Sequence, residues 1–182
     1  MDVTVMTQGL AFPEGPVALS DGAVLVVEIQ RGTLTRVAED GTQSIVAELG
    51  GGPNGAALGP DGHCYICNNG GFEWHKGRDG RVFPGEQPAN YTGGRIERVD
   101  LKTGAVETLY EACNGERLKG PNDLVFDQTG GFWSYSGASI TGGFVTDLGA
   151  IARVSGSATW SGGLSASASD DSDGTNKEFD LP

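Results

Sequence analysis

At 182 residues the chain is long enough for one ordinary domain with a core of its own. Its net charge of −12 and pI near 4.4 argue against nucleic acid or an anionic membrane surface as a partner. No segment approaches the ~20 consecutive apolar residues of a membrane span, and Met1 to Leu10 lacks the basic and apolar regions of a signal peptide.

The three cysteines are an odd number, which disfavours a disulfide framework and fits a reducing cytoplasm. Glycine supplies 31 of 182 residues, against an average usage of roughly 7%. Much of it stands in pairs between short apolar runs, as expected of an all-β chain with many tight turns.

The first unit runs over residues 10–51. Strands are predicted at Gly15–Leu19, Val24–Glu28, Thr33–Ala38 and Ser44–Glu48, with turns at Ser20-Asp21-Gly22, Gln30-Arg31-Gly32 and Glu39-Asp40-Gly41. Four short strands joined this way describe one blade of a β-propeller. The second unit, 52–119, repeats it with Ala56–Leu58, His63–Cys67, Arg95–Asp100 and Val106–Glu111. Between its second and third strands lies a polar excursion from Gly70 to Gly93, long enough to expect a function of it. The third unit, 120–154, carries Leu124–Asp127, Phe132–Ser136 and Ala150–Val154. Residues 155–182 form a Ser/Gly/Asp-rich tail in which Trp160 and Leu164 are the large apolar side chains of the stretch to Asn176. Such a composition buries too little surface to offset the entropy of ordering, so this tail is expected to be disordered.

The units share a cassette. Its openings are Glu14-Gly15-Pro16-Val17, Asn54-Gly55-Ala56-Ala57 and Asn122-Asp123-Leu124-Val125, spaced by 40 and 68 residues. Each unit then reads Gly-x-(Leu/Ile)-x-Arg-Val, at Gly32–Val37, Gly94–Val99 and Gly149–Val154. Recurrence near forty residues marks a repeat architecture. Rotation about its axis would bring Glu14, Asn54 and Asn122 to one mouth. A carboxylate with two amide oxygens is a hard-oxygen set, suited to calcium or magnesium and less to zinc or manganese. Asp123 either bonds the backbone or reaches the site. Phe72-Glu73-Trp74-His75 and Asn90-Tyr91 are candidates for a lid whose aromatics suit sugar-like ligands. Asn68 and Asn69, after the second strand of the second unit, are weaker candidates for lining the mouth. Cys64 and Cys67 lie three apart on a strand, hence on opposite faces, and read as buried small hydrophobes.

Phe12-Pro13-Glu14-Gly15-Pro16-Val17, Pro53-Asn54-Gly55, Cys67-Asn68-Asn69-Gly70-Gly71 and Gly120-Pro121-Asn122-Asp123-Leu124-Val125-Phe126-Asp127, continued by Gly130-Gly131-Phe132-Trp133, resemble the senescence marker protein, gluconolactonase and luciferin-regenerating enzyme family. The resemblance implies a six-bladed propeller with a divalent metal on its axis, hydrolysing sugar lactones or related esters. It implies that Glu14 is a metal ligand, that Asn122 reaches the metal or substrate, and that Asn54 lines the channel. It also implies two further ligands from later blades, an asparagine and an aspartate, the aspartate being the candidate general base. After Trp133 the chain departs from the family's Phe-Thr-Asp, reading Ser134-Tyr135-Ser136-Gly137.

Propellers close with about four blades or more, and three units are encoded here. The expected architecture is therefore an incomplete propeller of the six-bladed type: part of a longer protein, self-associating with a second copy, or, the favoured reading, truncated or rearranged with its C-terminal half lost. The expected function is a metal-dependent lactonase acting on a small lactone or sugar acid. The alternative is a non-catalytic propeller fragment serving as a binding or assembly module.

Overall fold

The computed structural model describes residues 3–113, 116–126, 131–136, 138–141, 144–147, 151–154, 164–170 and 175–180, with backbone alone at Cys113, Glu116, Trp133 and from Tyr135 onward. The described residues are all-β and contain no helix, so none is long and apolar enough to cross a membrane. The first sheet is an antiparallel meander of β1 (Pro13–Ala18), β2 (Val24–Glu28), β3 (Thr33–Val37) and β4 (Gln43–Glu48). The second is built from β5 (Pro53–Leu58), β6 (Cys64–Asn68), β9 (Arg95–Val99) and β10 (Val106–Tyr110). Between β6 and β9 the excursion forms a separate hairpin, β7 (Trp74–Lys76) with β8 (Val82–Pro84). A short pair, β11 (Ala112–Cys113) with β12 (Glu116–Arg117), leads on to the third sheet.

The third sheet runs in the order β13 (Pro121–Phe126), β14 (Phe132–Ser136), β17 (Ile151–Val154), β18 (Leu164–Asp170) and β19 (Thr175–Asp180). A hairpin, β15 (Ala138–Thr141) with β16 (Phe144–Asp147), projects between β14 and β17. Within the 155–182 stretch expected to lack order, 164–170 and 175–180 are strands paired to the sheet through β17. The remainder of that stretch lies outside the described residues. These three sheets are blades of an incomplete propeller.

The turns follow from local chemistry. Asp21, Asp40, Asp61 and Asp79 each accept a hydrogen bond from the backbone N–H two residues on, and the glycine between takes φ of 82°, 84°, 78° and 81°. That geometry is the Asx turn, which aspartate closes and glycine relieves of strain.

Two apolar clusters join the blades. Leu25, Val27 and Leu34 of the first sheet meet Ala56, Cys64, Ile66 and Val99 of the second. On the opposite face of the second sheet, Tyr65, Cys67 and Ile96 meet Leu124 and Phe132 of the third. Strand β6 therefore alternates between the clusters, burying both faces with a period of two. The cysteines fall as expected: both are free and buried on opposite faces, and burial pushes each thiol up to about 12. Tyr65 stacks edge-on against Phe126 at 4.9 Å and donates its hydroxyl to Asp61 Oδ2 at 3.0 Å. Each fully buried aliphatic such as Val27 or Ile66 contributes about 1.5–3 kcal/mol.

Candidate functional site at the strand heads

Each first strand of a blade opens with a proline, and the three prolines are equivalent in register. Pro13 pairs with Glu28, Pro53 with Asn68 and Pro121 with Ser136. Proline donates nothing to the ladder, so the first position of a strand tolerates it. A β-bulge follows in every case. In β5 and β13 the extra, unpaired residue is the head itself, Asn54 and Asn122. In β1 the bulge comes directly after Glu14, over Gly15 and Pro16. Bulges bend a strand and re-aim a side chain, which is why they gather beside functional sites.

The three opening strands are neighbours at close quarters. A Cβ on Gly15 would stand 2.7 Å from the Ala56 backbone nitrogen. One on Gly55 would stand 2.5 Å from the Asn122 carbonyl oxygen and 2.6 Å from Asp123 Cα. Glycine at these positions lets β1, β5 and β13 lie side by side with their heads in matching register. Glu14 and Asn122 are exposed there, and Asn54 is half-buried.

The backbone before Glu14 is strained. Phe12 has φ of 59°, the one positive φ outside glycine among the described residues, a conformation that costs about 1–3 kcal/mol. Its surroundings over-determine it. The Phe12 carbonyl accepts from Ile29 N–H at 3.0 Å, and Ala11 N–H donates to Glu28 Oε2 at 2.5 Å. Glu28, fully buried, also accepts from Arg31 Nη1 and Thr35 Oγ1, both at 2.6 Å. Asn68 holds the equivalent place in the second blade. Its Oδ1 accepts from Gly52 and Gly70 N–H, and its Nδ2 donates to the Gly50 carbonyl and to Glu97. Asn68 is thus a fully buried brace for the segment entering β5, with its hydrogen-bonding capacity spent inside the protein.

The remaining candidates divide. Asn69 is 8% exposed, and its Oδ1 accepts from Gly71 N–H at 2.9 Å while its Nδ2 has no partner among the described residues. Asp123 turns its Oδ1 to its neighbour's N–H, on Leu124, at 2.8 Å. Trp74 reaches the first blade: its ring stands 5.1 Å from that of Phe12, two residues before Glu14, and 6.1 Å from Phe72. His75 lies instead over Gly85 of its own hairpin, exposed. Tyr91 packs its ring over Gly70, where a Cβ would come within 2.5 Å of Cε2. Glu28 is not among the candidates the sequence offers, and Phe12 enters there only as the first residue of the Phe12–Val17 motif. The signal for Glu28 was its place at the end of the second strand, matching Asn68, and Phe12 carries no signal because strain is invisible in residue type.

Among the described residues no three His, Cys, Asp or Glu side chains gather as a metal site. The heads therefore offer one carboxylate and two amides. That donor set fits a hard divalent cation, in part, since calcium takes about six to eight oxygens.

A search of curated protein sequences finds no match. Solved structures match the fold. A structural-genomics target assigned to the gluconolactonases aligns at TM-score 0.57 and 18% identity, over 97% of this chain and 65% of its own. A gluconolactonase of Xanthomonas campestris, described as important in glucose secondary metabolic pathways, aligns at TM-score 0.57 and 16% identity, over 96% and 64%. The PQQ-bound aldose sugar dehydrogenase of Streptomyces coelicolor aligns at TM-score 0.56 and 21% identity, over 91% and 59%. The chain thus spans less than two thirds of the length of each. The SMP-30/Gluconolactonase/LRE-like pattern matches residues 12–161, taking in all three heads and the hairpin between them, and the chain belongs to that family.

Proposed function

We propose that the strand heads are the binding side of a lactone hydrolase, holding a divalent cation and a small sugar lactone or its acid. The observation that carries this reading is the common register of Glu14, Asn54 and Asn122 on three adjoining, bulged strands. Glu14 and Asn122 would hold the cation, with Asn54 beside them. Calcium is the first candidate, and magnesium, manganese and zinc are the alternatives. When bound, the cation supplies Lewis acidity toward a lactone carbonyl and toward the water that attacks it.

The chain's own residues do the rest. Glu28 and Glu97 are spent on internal bonds, and Asp123 gives one oxygen to a backbone N–H. Glu14 is the head carboxylate that makes no hydrogen bond or ion pair among the described residues, so its oxygens are open to a cation. Amides at Asn54 and Asn122 present oxygen to a cation or N–H to an ester oxygen without adding charge. The unpartnered Nδ2 of Asn69 is a further donor, one that a ligand oxygen or a water would satisfy. Phe12 and Trp74 form an apolar wall next to Glu14, suited to the C–H face of a sugar ring.

Hydrolysis of glucono-δ-lactone, followed by acid release, tests the activity with each cation and with EDTA. Thermal melting tests the site. Calcium is expected to raise the Tm of the wild type and to raise that of Glu14→Ala less. Equal melting with and without calcium in both proteins would remove the cation site. Turnover insensitive to EDTA would remove metal-dependent hydrolysis. Cation binding with no turnover would favour the alternative, a non-catalytic module.

A further inference from the structure

In this chain of net charge −12, Arg31, Arg36, Arg81, Arg95 and Arg98 each pair with a carboxylate. Lys76, Arg78, Lys102, Arg117 and Lys119 have no such partner among the described residues, and of these Arg117 and Lys119 face one concave surface. Together with Tyr91, Thr92, Gly93 and Leu118 they line an open groove of about 480 Å³. Its walls are tied to each other. Gly94 N–H donates to the Leu118 carbonyl at 2.6 Å, the Tyr91 hydroxyl donates to the Lys119 carbonyl, and Arg117 Nη1 donates to the Thr92 carbonyl. The last bond holds the guanidinium across the groove, and the rest of the about five N–H groups of arginine bond to no described residue. The Lys119 ammonium makes no bond to any described residue.

The groove adjoins the heads. Gly94 is packed so tightly on Pro121 that a Cβ there would collide with the proline ring, and Gly120 N lies 3.2 Å from the same point. Asn122 follows directly. From Lys119 to Asn122 an extended chain advances on the order of 10 Å. The opposite wall is shared too, because the Tyr91 ring covers Gly70, next to Asn69.

We infer that this groove is an anion subsite at the rim of the mouth, taking a carboxylate or phosphate group on a sugar-like ligand whose ring reaches the heads. The inference rests on the lactonase reading for the ring, but the groove's own chemistry does not depend on it. The acidic surface as a whole repels anions, and two unpaired cations reverse that field only within a Debye length of about 10 Å. Anions are therefore welcome here only if they seat between Arg117 and Lys119. Charge-assisted bonds of that kind are about twice as strong as neutral ones.

Calorimetry on the full chain tests it, at low salt and with EDTA present so that no cation at the heads contributes. The probes are gluconate for the carboxylate, 6-phosphogluconate and inorganic phosphate for the phosphate, and glucose as the neutral control. At least one acid is expected to bind, glucose not, and added salt is expected to weaken the binding. The Arg117→Gln/Lys119→Gln double variant should lose about tenfold or more. Lys119→Gln alone should lose severalfold, and it leaves the Arg117 tie to Thr92 intact, so loosened walls cannot explain the loss. Acids bound equally by wild type and double variant, glucose bound as well as the acids, or no acid bound at all would each overturn the subsite. Acid binding that needs both cations, in a protein that turns over no lactone, would keep the subsite and discard the hydrolase. Lactone turnover with acid binding indifferent to both cations would do the reverse.

Discussion

At the scale of single residues, glycine performs two separable jobs. Gly55 is needed for space: a Cβ would press on the Asn122 carbonyl and on Asp123 Cα, both backbone atoms that cannot swing aside. Gly62 is needed for conformation: nothing lies within 4 Å of its missing Cβ, but its φ is 78°. Overpacking against backbone costs about 1–3 kcal/mol, and a non-glycine residue in the left-handed region about 1–2 kcal/mol. Gly55→Ala and Gly62→Ala should therefore lose comparable stability. They should differ at the mouth, where only Gly55→Ala pushes β13 away from β5. The expected outcome is a lowered Tm in both and a weakened calcium shift in Gly55→Ala alone. A calcium shift unchanged in Gly55→Ala would show that Asn54 and Asn122 do not act together.

At the scale of elements, the turns tie the fold to acid. Asp21 is held below the usual carboxylate range first by Ala23 N–H and then by Arg36, and Asp40 by Thr42 N–H. Asp100 is held down by Lys102 N–H and then Thr103 N–H, and Asp79 by the Arg81 side chain and then its N–H. A carboxyl with a depressed folded pKa adds stability that is complete above its unfolded pKa, near 4, and is lost as pH falls through the folded value. Because Asp21, Asp40 and Asp79 are exposed and Asp100 is half-buried, the loss is expected to be gradual. A plot of Tm against pH should show their contribution flat above about pH 5 and falling below about pH 4. Replacing Asp21 and Asp40 by Asn, which still accepts the turn bond, should flatten that fall.

The same turns explain how much was legible. Asp-Gly pairs between alternating apolar residues announce the strands of the first two sheets, because turn chemistry and two-residue periodicity are local. The cassette announces that Glu14, Asn54 and Asn122 head equivalent strands, because repetition survives in sequence. Strands β18 and β19 are not announced: Leu164–Asp170 is mostly serine and alanine, and its pairing with β17 and β19 is a matter of backbone partners supplied by the rest of the sheet. Asn68 is a candidate for the mouth by its place after the second strand, and its burial is not legible there, because it depends on glycines that let two loops close over its amide.

At the scale of the whole molecule, the candidate site belongs to no single sheet. Glu14 stands on the first, Asn54 on the second and Asn122 on the third, and separate apolar clusters join the first to the second and the second to the third. A ligand that engages all three heads must stabilise the assembly of blades, and by mass action this grows as the logarithm of ligand over its dissociation constant. Hydrogen exchange can see the difference between that and a cation resting on one carboxylate. Calcium is expected to slow exchange at the start of β1, β5 and β13 together, with the outer strands β4 and β10 changing little. Glu14→Ala should abolish the effect in all three heads at once, including the two it does not touch in sequence. Protection limited to β1 would mean that Glu14 binds calcium alone and that the shared register of the heads serves packing.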